Sequence, residues 1–403
     1  MKGGRCYIVS LVLLGCAAAF GTVAAPPDDP RDLDRMQDAL RALRDGRHAQ
    51  AEREAMDLAV RADRPLARSW LIVAAARQRQ KQYASAVRAY RMFLAACSSP
   101  EMRDRVAEQI RTCQAALDAD QGPHAPTKRL SPADLDELAK VDEAVCVESS
   151  EHFVIRSRYA QLAKLLAAEA EAALQRICGI ILAGQEFPHS VDVYVWADPA
   201  EFAAHARSAP EWSGGSFRVD CRDGLVTRRI DLTQRTADGR FDTIMVDRVL
   251  PHEMCHLVVK ELFGDAACPL FLDEGLAMLA ESEIDNRRIE LAGAALAGRA
   301  KIPLDDLLVG RRDDAGDPAV FYAEAFSLTE FLHGRLTRPQ FAAFLKHVRY
   351  GCGVAEALQR ALYVAPDDRF LPALTAAWED CAIAQGQYLR ALRQRELTAT
   401  TAD

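Results

Sequence analysis

Basic runs, Cys-x-x-Cys pairs and low-complexity tracts are all missing from this 403-residue chain, and each absence closes off a class of function. With no cluster of Lys or Arg and a formal net charge of −8, nucleic acid is not an expected partner, because phosphate recognition needs a positive face. Without Cys-x-x-Cys a thiolate zinc site is not expected. Beyond the first 25 residues no run is apolar enough to span a bilayer. Collagen-like and disordered chains are excluded as well, since half of the residues are hydrophobic and 27% are charged, ordinary values for a globular protein.

What is present begins with a segment that does not belong to the fold. Lys2 and Arg5 precede the apolar "CYIVSLVLLGCAAAF" and the small residues "GTVAA". Residues 1–25 therefore read as an export signal, with "PPDDP" as the exposed new start. A membrane helix over residues 6–25 is the alternative. "LLGC" resembles a bacterial lipoprotein box, which would make Cys16 a lipid anchor and the one route to a membrane, although the apolar "AAAFGTVAA" stands where a polar tether is expected. The expected location is periplasmic, envelope-associated or secreted. Removing Lys2 and Arg5, and no acid, takes the net charge from −8 to −10. Nine cysteines remain, an odd number that leaves one unpaired in an oxidising compartment. Cys97 and Cys113 are a candidate pair.

Residues 31–117 read as helices throughout. "DGRHAQAEREAMDLAVRADRP" and "QKQYASAVRAYRMFLAACSSP" superpose at an offset of thirty-five residues, aligning Ala51 with Ala86 and Ala55 with Tyr90. Trp70 and Ala74 lie one helical turn apart ahead of the second copy. Large residues followed by small alanines resemble tetratricopeptide repeats, in which alanine lets paired helices approach closely. The first copy departs from that pattern at Arg35. A third helix over 100–117 would complete a small stack able to take a protein partner; a plain helical bundle is the other reading. "DADQGPHAPTK" breaks the pattern, so 118–133 is the linker, and Ser131-Pro132 starts a helix.

From 134 the texture becomes strand and helix in turn. "VCVESSEHFVIRS" reads as a hairpin with Val145/Val147 and Phe153/Ile155 in alternation, and "SVDVYVWA" as a strong strand. Asp198 caps a helix. "GGSFRVDCRDGLVTRRIDL" reads as two strands around Asp223-Gly224. After Asp242 the chain is helical, with turns and an exposed loop at 305–307 and 311–317. Strands first and helices after them predict an α+β domain in which a small sheet leans on a helical lobe.

The chemistry is concentrated in "PHEMCHLVVKELFGDAACPLFLDEGLAMLAE", residues 251–281. On a helix His252 and His256 are one turn apart and can reach one tetrahedral metal ion. Glu253, beside the first of them, is placed to take the proton of an attacking water. Pro251 requires a kink or a helix start nearby. Two histidines need a third protein ligand, and "FLDEGLAML" supplies it, with Glu274 preferred to Asp273. Glu281, two turns beyond, can accept from a ligand histidine. Cys255 is on another face and reads as packing. Asp247 and Arg248 read as a solvated pair. His152, His189, His205, His333 and His347 stand singly and read as surface or satisfied core residues.

H-E-x-x-H, a gap of about seventeen residues, then E-G-x-A-x-x-x-E resembles the gluzincin metallopeptidases. Within them the closest likeness is to the peptidase MA-like domains of exported bacterial proteins. "SEHFVIRS", "VDVYVWADPAEF", "VLPHEMCHLVVKELFG", "PLFLDEGLAML", "YAEAFSLTEFL" and "LTAAWEDC" follow in that domain's order, over about 140–385. The resemblance implies that His252, His256 and Glu274 bind Zn2+, that Glu253 is the general base, and that "GGSFRVD" edges a cleft and pairs with extended substrate. It puts the oxyanion-stabilising tyrosine at Tyr322, for which a buried structural tyrosine is the alternative. "SGGSF" is not the amino-terminus recognition motif of aminopeptidase-like members, so that specificity does not carry over.

The expectation is an α+β, zincin-like metallopeptidase domain over 134–385, a small mixed sheet with a helical lobe. The all-α tetratricopeptide-like region precedes it and a tail, 386–403, follows. Its activity would be hydrolysis of peptide bonds in a peptide or protein substrate by a zinc-activated water. The rivals are an envelope binding scaffold with a non-catalytic zinc domain, and a zinc hydrolase of a non-peptide amide such as a cell-wall component.

Overall fold

The computed structural model describes residues 30–400 apart from 60–67, 98, 121–136, 143, 207–213, 223–224, 236–240, 242–243, 282–284 and 310–316. The expected export signal, Cys16, the Asp223-Gly224 turn and the Ser131-Pro132 helix start lie outside the described residues. Among the described residues no helix is long and apolar enough to cross a membrane.

Helices α1 (Pro30–Arg44), α2 (His48–Ala59), α3 (Ser69–Arg79), α4 (Tyr83–Ala96) and α5 (Pro100–Asp120) each pack on the next. Ala51, Ala55, Ala74 and Ala86 are fully buried; with only a methyl group to seat, each lets a neighbouring helix come close. Arg35 faces solvent and pairs with Asp57, so its position in the first copy carries no core residue. The candidate disulfide does not form. Cys97 and Cys113 are buried free thiols, and the other seven cysteines among the described residues are free as well.

The next unit is built on a five-stranded sheet of order β1-β2-β3-β5-β4. Its strands are β1 (Cys146–Ser149), β2 (Phe153–Ser157), β3 (Val191–Trp196), β4 (Gly215–Arg222) and β5 (Leu225–Thr233). β2, β3 and β5 run parallel, with β1 and β4 antiparallel on the two edges. Phe153, Ile155, Val193, Val195, Ile230 and Leu232 share one face and are buried against α6 (Ala160–Ile181) and the helices that follow. Val145 and Val147 do not join that face: they are 60% and 56% exposed. The register pairs Glu148 with Ile155 and Val147 with Arg156, and strand side chains alternate, so the valines fall on the outer face of an edge strand. Asp198 caps α7 (Pro199–His205) as expected, accepting from the Ala200 and Glu201 N–H groups.

A π turn, Met245–Val249, leads into α8 (Leu250–Phe263). The Leu250 N–H reaches back five residues to the Met245 carbonyl. α8 thus starts next to Pro251, as expected, and the ring sits in its first turn, where the widened turn before it gives room against the preceding carbonyls. Next come α9 (Leu270–Ala280), α10 (Asn286–Leu296) and α11 (Leu304–Val309). Asp305 and Asp306, expected in a turn, occupy the first turn of α11, where carboxylates complement the exposed N–H groups. α12 (Pro318–Arg335), α13 (Arg338–Arg349) and α14 (Val354–Leu362) follow. The last helix, α15 (Phe370–Thr400), runs on through residue 385 and crosses α10 closely: a Cβ on Gly293 would lie 2.6 Å from the Ala382 carbonyl.

The helical region is docked on this lobe by buried polar contacts. Arg77 pairs with Glu52 at 2.8 Å and also donates to the Gly334 carbonyl. Arg88 lies 3.1 Å from His333 Nδ1.

Within the lobe, buried Glu324 of α12 accepts from the Ile302 N–H at 3.2 Å. Burial raises its carboxyl from the usual 4.5 to about 7, against the opposing effect of that bond. The folded pKa lies above the unfolded one. The folded state thus keeps a proton that the unfolded chain releases, and stability falls as pH rises from about 4.5 through about 7. Glu324→Gln preserves an acceptor for Ile302 and removes this titration. Thermal melts are expected to show a gain over wild type at pH 8 and none at pH 4.

Candidate metal centre

α8 and α9 cross beneath the edge of the sheet, and each brings ligand-type residues to the crossing. His252 and His256 come from successive turns of α8, and Glu274 from α9; one donor atom of each lies within 4.8 Å of the others. Glu274 Oε2 is 3.6 Å from His252 Nε2 and 3.8 Å from His256 Nε2. The three are buried or nearly so. Two imidazole nitrogens and one carboxylate, with a fourth position left over, is a donor set that suits zinc.

Both imidazoles are held from behind. Glu281 Oε1 lies 3.3 Å from His252 Nδ1, and Asp273 Oδ1 lies 2.8 Å from His256 Nδ1. A carboxylate on Nδ1 fixes the ring so that Nε2 points to the centre. Glu281 lies behind His252, where its spacing suggested. Asp273 has a role the sequence reading missed, since it entered only as the less favoured ligand. Adjacent helical residues point about 100° apart. Glu274 can therefore face the centre while Asp273 reaches the outer nitrogen of His256. The signal was the Asp-Glu pair itself.

Arg248 corrects a second reading. It is no member of a solvated pair: its Nε donates to Glu281 at 3.1 Å, and its Nη2 is 3.6 Å from Asp285. Arg288 adds a contact to Glu281 at 3.3 Å, so the carboxylate behind His252 is itself clamped by two guanidiniums. Burial would raise the Glu281 carboxyl, but His252, Arg288 and Arg248 hold it below the usual range. Burial works against protonating His252, yet its bonds to Glu274 and Glu281 outweigh this and raise it to about 9. His256 is likewise raised, burial being outweighed by Asp273.

Asp273→Asn and Glu281→Gln should each weaken metal binding by roughly 10- to 100-fold, the usual cost of losing such a partner. Competition against a chelator of known affinity reads this out. Unchanged affinity in both variants would remove them from the site.

Glu253 is on the same helix and 8% exposed. β4 passes directly over it. A Cβ on Gly215 would lie 2.8 Å from Glu253 Cγ and 2.6 Å from Val249 Cγ1, so only glycine lets the strand come so near. Gly215 was another residue whose role sequence reading missed, the hint being its place in "SGGSF". Two residues on, the Phe217 ring stacks on His256 at 5.2 Å. Cys255 is fully buried, and burial holds its thiol protonated, in keeping with packing. Tyr322 is half-buried in the first turns of α12, edge-on to Phe321. It precedes Ala325 and Thr329 by one and two turns on the face that crosses α9 at Gly275.

The single histidines are engaged elsewhere. His152 meets Glu171 at 2.9 Å, His189 meets Glu261 at 3.0 Å, and His205 stacks on Trp196.

Residues 169–368 match the family model of the Peptidase MA superfamily. That span holds β3, β4, β5 and helices α8 to α14, and with them His252, Glu253, His256, Glu274 and Tyr322. It supports a peptidase-like hydrolase domain in this part of the chain. Among curated proteins none matches the chain.

Proposed function

We propose that this chain is an exported, zinc-dependent metallopeptidase of gluzincin type. The observation that carries the reading is the convergence of His252, His256 and Glu274 within 4.8 Å, with a carboxylate behind each histidine. Structural packing alone gives no reason to gather three carboxylates around two imidazoles. Export rests on the basic and then apolar order of residues 1–25.

His252, His256 and Glu274 would hold the ion. Zinc, when bound, supplies Lewis acidity to a scissile carbonyl and makes a water a stronger acid. The remaining steps belong to the chain. Glu253, beside His252 and under the edge of β4, accepts the proton of the attacking water and returns it to the leaving amine. Tyr322 is the candidate donor to the oxyanion that develops on the substrate. β4 is the last strand of the sheet and its outer edge can pair with an extended peptide. The sheet thereby holds the substrate across α8.

Metal content of the purified protein tests the proposal, measured beside Glu274→Ala. About one zinc per chain in wild type, lost in the variant, is the expected result for a three-ligand site. Zinc-free, well-folded wild type, or a variant that keeps its zinc, would sink it.

A further inference from the structure

The sheet has a second face over the edge strand, and it is chemically unlike the first. The face described so far carries Phe217 and meets the metal centre. On the opposite face Ser216 and Arg218 of β4, Asp231 of β5 and the end of α7 with His205 line a pocket of about 450 Å³. The register places Ser216 opposite Asp231 and Arg218 opposite Arg229, so these four side chains share that face.

The main chain ties the two faces together. The Thr233 N–H donates to the Gly214 carbonyl at 3.0 Å. In an antiparallel ladder the pairs that exchange hydrogen bonds alternate, so Ser216 and Arg218 bond inward to β5. Phe217 and Val219 then direct their N–H and C=O groups away from β5, along the edge. An extended peptide pairing antiparallel with Phe217 points the side chain opposite Phe217 toward His256. Its neighbours on either side point to the other face, opposite Ser216 and Arg218, over the pocket.

The charges in the pocket are unequal in their freedom. Asp231 is 1% exposed and committed to Arg229 at 2.9 Å and Trp196 Nε1 at 2.8 Å. Arg229 lies over the Tyr194 ring at 3.7 Å. His205 is stacked on Trp196 at 3.9 Å with its Nδ1 2.8 Å from the Glu201 carbonyl. Arg218 is different. Its side chain is 40% exposed, and its approaches to Asp220 and Asp231, at 3.7 and 3.8 Å, are longer than hydrogen bonds. Its Nε is buried without a hydrogen-bond partner. A guanidinium with donors to spare, beside a polar pocket, is suited to a carboxylate.

We infer that Arg218 and the pocket behind β4 form a specificity subsite that takes an acidic side chain, Glu or Asp, from the substrate residue paired opposite Arg218. This rests on the peptidase reading for the placement of substrate along β4, but its test does not require turnover. Extended peptides of otherwise neutral sequence, carrying Glu, Gln or Lys at one scanned position, are titrated onto zinc-loaded Glu253→Gln protein. The scan is repeated with Arg218→Gln and Arg218→Glu added. At one position Glu should bind about tenfold tighter than Lys, as expected for a charge-assisted carboxylate pair. Arg218→Gln should level the two and Arg218→Glu should reverse them, melting curves confirming that both variants are folded. A preference that survives Arg218→Glu, or no peptide binding at all, overturns the inference. If binding follows the charge at 218 while wild type cuts none of the bound peptides, the subsite stands and the peptidase reading falls. If wild type cuts peptides with no dependence on Arg218, the reverse holds.

Discussion

Glu253→Gln should abolish peptide hydrolysis while leaving metal content at the wild-type level. The amide has nearly the shape of the carboxylate, so the strand above it, let in close by the missing Cβ of Gly215, keeps its place. What is lost is the base. A positioned general base contributes about 10²- to 10⁴-fold, and here the same group also returns the proton to the leaving amine, so the larger figure applies. The check is steady-state cleavage of a quenched-fluorescent peptide library by wild type and variant, with metal analysis on the same samples. A variant that cleaves at the wild-type rate would take Glu253 out of the chemistry. A variant that loses its metal would make it a fourth ligand.

Gly275→Ala is expected to have the largest effect on folding. α9 and α12 cross at Gly275, where a Cβ would lie 2.1 Å from Thr329 Oγ1 and 2.7 Å from both the Ala325 carbonyl and Thr329 Cβ. The hydroxyl could turn away but the carbonyl is backbone, so the helices must part. Overpacking of this kind costs about 1–3 kcal/mol, which in a domain of this size lowers Tm by roughly 2–12 °C. Because Gly275 follows Glu274 directly, parting the helices also draws the Glu274 carboxylate away from His252 and His256, and zinc should be retained less well than in wild type. Thr329→Ala added to Gly275→Ala should recover only part of the loss, since the Ala325 carbonyl remains. Full recovery of Tm would place the strain in the side chain alone and not in the crossing of the backbones.

The match to the Peptidase MA superfamily and the geometry of the candidate metal centre reinforce each other for different reasons. The match covers residues 169–368 and bears on descent. The geometry bears on chemistry, and it extends to residues that a short motif does not include. Arg248 and Arg288 stand behind Glu281, Glu281 behind His252, and Asp273 behind His256. Such layered support keeps an imidazole in one orientation before a metal arrives.

Local spacing made some of this legible from the chain alone. His252 and His256 face the same way because an α-helix turns once in 3.6 residues, and no other part of the protein is needed to say so. Asp198 ahead of Pro199 marks a helix start by its own side chain. The alternation in "SVDVYVWA" marks a strand with one buried face, and the order of elements indicated a small sheet with helices after it. Tertiary structure decided what depended on residues distant in sequence. Which of Asp273 and Glu274 faces the centre is set by the angle at which α9 crosses α8. Arg248 reaches Glu281 across thirty-three residues, so the neighbouring Asp247 was no guide to its partner. Val145 and Val147 alternate as a strand should, yet the register with β2 turns them to solvent. Pro251 asked for a kink or a helix start nearby, and α8 does start at Leu250, but that a widened turn leads into it is a property of the backbone that no residue in "MVDRVLP" announces. Periodicity and capping act within a few residues and can be read one stretch at a time. Crossing angles, strand register and the partners of a buried charge are set jointly by segments that meet only on folding.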